Sequence, residues 1–191
     1  MNLSYNTEEY KIQKQKSQKA LLWLGIVSIC MMFAGLTSAY VVRQAEGNWI
    51  KFDLPSQFSI GTAILLFSSI TMNWAVQSIK QGNTAMLKNA VLFTWVLGIA
   101  FVWSQFASWK ALVNQGIFMV GNPSGSYLYM LSGLHLAHIV GGLIFLTVVL
   151  VKTFLKRYDA QNHLQIKLCA TYWHFVDILW VYLFLFLLFI R

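Results

Sequence analysis

Two apolar stretches carry the side chains that could do chemistry. Thr171-Tyr172-Trp173-His174-Phe175-Val176-Asp177-Ile178-Leu179-Trp180 holds a histidine and an acid, and Gly133 to Gly142 holds His135 and His138. In each pair the spacing of three puts both groups on one helical face, about one turn apart. An ionisable group in hydrocarbon is costly unless it meets a partner or a wet cavity, so Asp177 must face protein. Four chemistries are open. His138 and His174, on facing helices, have the residue types of a bis-histidine haem. A zinc or copper site would need three or four convergent ligands, and with His163 in a loop the count falls short. A relay through His135, His138 and Asp177 would suit a proton-coupled transporter. The last is a structural hydrogen-bond network, in which Asp177 meets His138 or His174. No nucleotide loop, nucleophile triad, paired carboxylates or inverted repeat is present, so no catalytic residue and no metal ligand is assigned.

The elements that position these groups follow from composition. The chain is 58% hydrophobic and 10% charged, where a soluble domain carries about 25% charged residues. An all-α, polytopic membrane protein is expected. Five runs are long enough to cross a ~30 Å core, at about 20–42, 58–78, 89–111, 127–151 and 168–190. Backbone groups in lipid must be satisfied within each run, so each is a helix of a five-helix membrane domain, 20–191, behind a polar tail, 1–19. Pro55 and Pro123 precede the second and fourth runs, where a missing N–H does no harm. The net charge of +8 reflects loop topology rather than nucleic-acid binding. Ten of the fourteen basic residues lie on the side of the amino terminus: Lys11, Lys14, Lys16, Lys19, Lys80, Lys88, Lys152, Lys156, Arg157 and Lys167. Arg43, Lys51, Lys110 and Arg191 lie opposite. This bias predicts a cytoplasmic amino terminus and an outside carboxyl terminus.

Several faces suggest packing. Gly25, Ser28, Met32, Gly35 and Ala39 form a small-residue stripe in the first helix, suited to close helix contact. The fourth has one stripe of Gly133, Ala137 and Gly141 and another of Leu131, His135, His138 and Gly142, which predicts enclosure on both sides. Val181 to Ile190 is apolar all round and is expected to touch lipid. Cys30 and Cys169 are expected as core residues. By depth, His138 falls near the bilayer midplane and Asp177 roughly 3 Å from it, so the fourth and fifth helices are expected to pack together.

The motifs also resemble a known family. Tyr172 to Trp180 is similar to the YWHFVDVVW signature of cytochrome c oxidase subunit III. Gly133 to Gly142, Leu65-Leu66-Phe67-Ser68-Ser69-Ile70-Thr71 and Phe33 to Arg43 resemble further motifs of that family, in all about residues 20 to 190. The resemblance implies the short five-helix bacterial form of a haem-copper oxidase subunit III in the bacterial cytoplasmic membrane. Such a subunit holds no redox centre. It flanks the catalytic subunit I, where haem and copper are expected, holds phospholipid, and sustains proton uptake during O2 reduction. The resemblance does not decide between this and subunit III of a quinol oxidase or a nitric oxide reductase accessory subunit. From another class, an independent transporter or b-type cytochrome is the alternative. Three glutamates common in the family are replaced by Ile29, Gly61 and Ser108, so no role of those carboxylates carries over. Arg43, near the far interface, is a candidate for a lipid headgroup.

Overall fold

The computed structural model describes residues 2–155, 158 and 163–190, with side chains from residue 9 onward. Lys156, Arg157 and Arg191, counted in the charge asymmetry, lie outside the described residues, as do the side chains of the first eight. Five helices follow one another: α1 (Asn2–Ala45), α2 (Ser56–Lys80), α3 (Thr84–Asn114), α4 (Pro123–Phe154) and α5 (Leu164–Phe189). All five are long and apolar enough to cross a membrane. They alternate in direction, so α1 starts on what is here termed the amino side and α5 ends on the far side.

Each element outruns its apolar run by a few residues, and α1 does so by far the most. At 1.5 Å per residue its 44 residues extend about 66 Å, roughly twice a bilayer core. Residues 2–19, expected as a tail, thus continue the first helix. Local chemistry sets the other ends. The Asn83 side chain accepts from Met86 N–H at 3.0 Å and caps α3, and Asn122 accepts from Ser124 N–H at 3.0 Å and caps α4, with Pro123 at its first turn. At the close of α2, Gly82 takes φ +72° and Asn83 N–H reaches back to the Ser78 carbonyl at 3.0 Å. This left-handed glycine lets the chain reverse at once into α3.

The α2–α3 hairpin is the tightest pair. A methyl group on Gly61 would come within 2.7 Å of Ser104 Oγ, so glycine is what permits the approach. Lower down, the Thr71 and Thr94 hydroxyls meet at 2.8 Å. Between α3 and α4 two indoles bridge to hydroxyls: Trp95 Nε1 donates to Thr147 Oγ1 at 2.9 Å and Trp109 Nε1 to Ser132 Oγ at 3.1 Å. Lipid gives no hydrophobic drive between helices, so close contact and such bonds hold them.

The predicted faces are placed as follows. The α1 stripe faces away from the bundle: a Cβ on Gly25 or Gly35 would meet nothing within 4 Å, and Ser28 bonds only its own helix. Among the described residues α1 touches only α4 and α5, through Phe33, Thr37 and Tyr40. In α4, Leu131, His135 and Gly142 are buried, while Ala137 and Gly141 are exposed, so only one of its two stripes is enclosed. The end of α5 buries Leu183, Phe186 and Leu187 and exposes Leu185 and Phe189, so it lies half in the core. Cys169 is buried as expected, but Cys30 is exposed on the outer face of α1.

On the amino side, Tyr158 joins the start of α5 to the end of α4. Tyr158, buried, donates its hydroxyl to Gln165 Oε1 at 2.9 Å, and Lys152 Nζ donates to the same oxygen at 2.8 Å. Burial, with the Cys169 thiol close by, pushes the phenol up to about 12.

Candidate functional site

The site is the face of α5 that carries Trp173, His174, Asp177 and Trp180, spaced i, i+1, i+4 and i+7, so that all four turn toward one neighbour. That neighbour is α2. Trp173 Nε1 donates to Ser68 Oγ at 3.0 Å, and Trp180 Nε1 donates to Thr62 Oγ1 at 3.0 Å. Next to the first, the His174 Nδ1 and Ser69 Oγ pair at 2.7 Å. The helices run antiparallel, so seven residues along α5 answer six along α2. Both acceptor hydroxyls are themselves fixed, Ser68 to the Leu65 carbonyl at 2.8 Å and Thr62 to the Phe58 carbonyl at 2.9 Å. Each rung thus runs from an indole through a hydroxyl into the backbone of α2.

Trp173 is fully buried where α2 to α5 converge. A Cβ on Gly98 of α3 would come within 2.8 Å of its ring and 2.7 Å of Leu143, and one on Gly142 of α4 within 3.3 Å. Small residues on two helices therefore make the slot that the indole fills. Trp180 is buried as well, with Phe101 edge-on at 5.2 Å and His135 at 4.8 Å.

The four predicted polar residues separate into three surroundings. His174 joins the α2 ladder. His135 is fully buried between Phe101 and Trp180, and neither ring nitrogen has a partner among the described residues. His138 sits edge-on to Phe33 of α1 at 5.7 Å, its Nδ1 2.7 Å from the Leu134 carbonyl of its own helix. Asp177 is 2% exposed, and its carboxyl forms no hydrogen bond among the described residues. The expected bond from Asp177 to His138 or His174 is therefore not made. The side chain beside the carboxyl is Ser69, already held by His174. Helices α4 and α5 do pack together, but through Tyr172, whose hydroxyl donates to the His138 carbonyl at 3.1 Å.

This arrangement bears on the metal readings. His138 and His174, the candidate haem pair, turn to different helices, and no group of three histidine, cysteine or acidic side chains converges among the described residues. Arg43 engages Glu46 at 3.2 Å and the Gly47 carbonyl at 3.3 Å, which sets its charge against an acid of its own loop. The residues that sequence reasoning missed are Thr62 and Ser68 as acceptors and Ser69 as the partner of His174. Their spacing along α2, matched to the indoles of α5, was the available signal.

A bundle of five helices, each long and apolar enough to cross a membrane, defines a polytopic membrane protein. The family model described as cytochrome c oxidase subunit III matches residues 50–190. A probable cytochrome c oxidase subunit 3 of Nocardia farcinica is 32% identical over 181 residues, covering 90% of this chain and 86% of the relative. One from Mycobacterium tuberculosis is 31% identical over 177 residues, with the same shares. The cytochrome c oxidase subunit 3 of Pongo abelii is 32% identical over 184 residues, 89% of this chain and 68% of the relative. The chain belongs to the cytochrome c oxidase subunit III family: it is a multi-pass membrane protein and a non-catalytic subunit of a haem-copper oxidase complex. The quinol oxidase, nitric oxide reductase, transporter and b-type cytochrome readings are not favoured.

Proposed function

We propose that this chain flanks the catalytic subunit I of a cytochrome c oxidase in the bacterial cytoplasmic membrane, holding phospholipid and sustaining proton uptake and O2 reduction by its partner. Haem and copper belong to the partner subunits, and no cofactor is ascribed to this chain. The observation that carries the reading is the ladder between α5 and α2. The most polar stretch of the membrane interior goes into binding one helix to another, which suits a scaffold. The charge asymmetry supports a cytoplasmic amino side. Purification of the tagged chain from mild detergent tests this. Co-elution with haem-bearing subunits is expected, together with a colourless polypeptide once it is separated. A Soret band on the separated chain, or transport by it alone in liposomes, would overturn the reading.

A further inference from the structure

We propose that the bundle binds one water molecule as a structural ligand, held between Gln105 of α3 and His135 of α4. Both side chains are fully buried. Among the described residues, neither the Gln105 amide nor either His135 ring nitrogen has a hydrogen-bond partner. Two contacts between these helices bracket the pair. Phe101, one turn before Gln105, lies edge-on to His135 at 6.0 Å, and Trp109, one turn after it, donates to Ser132 at 3.1 Å. Gln105 and His135 therefore stand at one level on facing helices. Lipid supplies no hydrogen bond at this depth, so the partner of these groups must be held inside the bundle.

The neighbouring hydroxyls have already spent their protons. Ser132 Oγ donates to the Leu128 carbonyl at 2.8 Å, and Ser108 Oγ, on the buried face of α3 with Gln105, donates to the Ser104 carbonyl at 2.8 Å. Each can only accept from here on. The rest of the wall is aromatic: Trp180 of α5 lies over the imidazole at 4.8 Å and 30°, and Phe101 meets its edge. A neutral imidazole has one donor and one acceptor nitrogen, and an amide has two donor hydrogens and an acceptor oxygen. Water has two of each and serves both side chains at once. A buried water makes about three hydrogen bonds, and Gln105, His135 and the Ser108 hydroxyl are three partners for it. Small residues line this level, with Ser108 on α3 and Ser132 and Gly133 on α4, where a Cβ on Gly133 would meet only Trp109, at 4.0 Å. The donor set also suits a neutral ligand, since no group of three histidine, cysteine or acidic side chains converges among the described residues.

The test replaces each side chain by an apolar one, Gln105→Leu and His135→Phe, singly and together, in the purified complex. Melting in detergent is the readout. A shared ligand makes the two effects interdependent, because removing one side chain strands the water and the other. Each single variant should lower the melting temperature by roughly 2–4 °C, and the double variant by less than the sum. Two dry, unconnected side chains would behave otherwise. Apolar replacement of either would then leave the melting temperature unchanged or raise it, with additive effects, and that result overturns the proposal. A cryo-electron map of the wild-type complex, fine enough to show water, is the second measurement and decides alone if a variant fails to assemble. Density within hydrogen-bond reach of both Gln105 and His135 is expected. A direct bond between amide and imidazole, or no density there, overturns the proposal.

Discussion

Helices α1 and α5 are both apolar and long enough to span, yet they sit in the molecule in opposite ways. Helix α5 is drawn in by Trp173, His174 and Trp180, each answered by a hydroxyl on α2. Helix α1 lies against the outside, through Phe33, Tyr40 and one hydroxyl pair, Thr37 with Tyr182 at 3.0 Å. Hydropathy does not separate the two. Matched donors and acceptors and the room that glycine leaves decide which helix is interior, because lipid competes equally for any purely apolar face.

The largest test of this contrast swaps the glycines. Gly98→Val would drive a side chain into Leu143 and Trp173 and should cost about 3 kcal/mol or more, seen as loss of the folded chain from membranes. Gly35→Val points into open space and should leave the chain folded. If both were tolerated, the account of the Trp173 slot would fail. Next in size is the ladder itself. A double-mutant cycle of Trp180→Phe with Thr62→Val should give a coupling of about 0.6 kcal/mol, and at most about 1.7. The corresponding cycle of Thr37→Val with Tyr182→Phe should give no more. A larger coupling at α1 than at α5 would reverse the comparison.

The amino-side closure should be weaker still. Tyr158→Phe removes one hydrogen bond to Gln165, which Lys152 still satisfies, so a loss of about 0.5 kcal/mol in detergent melting is expected. A loss near 3 kcal/mol would show that this closure, rather than the ladder, anchors α5.

What was legible in the sequence divides along the same line. The five spans follow from apolar run length alone, because a bilayer fixes the length and hydrogen bonding fixes the helix. The family was legible from Tyr172 to Trp180. The α1 stripe did not say which helix it meets, because glycine and serine permit close contact without naming a partner, and within this chain it meets none. The ladder was missed for a different reason. His174 and Asp177 drew attention as charges in need of a counter-group, and the neighbouring span supplied His138. The donors that matter are neutral indole N–H groups, and their partners lie more than a hundred residues away in the chain. The helical extension of α1 was not legible either, since residues 2–19 lack an apolar stripe.

The smallest expected effect bears on the acid itself. The sequence predicts that Asp177 meets His138 or His174, yet the His138 imidazole turns to the Leu134 carbonyl and Phe33, His174 pairs with Ser69, and the carboxyl faces α2 beside Ser69. Groups that share no partner add in their effects within about 0.5 kcal/mol. Asp177→Ala and His138→Phe, made singly and together, should therefore be additive within that margin in detergent melting of the complex. Asp177→Ala with Ser69→Ala should be additive as well, since the Ser69 hydroxyl pairs with His174 rather than with the carboxyl. A coupling above about 1 kcal/mol in the first pair would return the acid to α4.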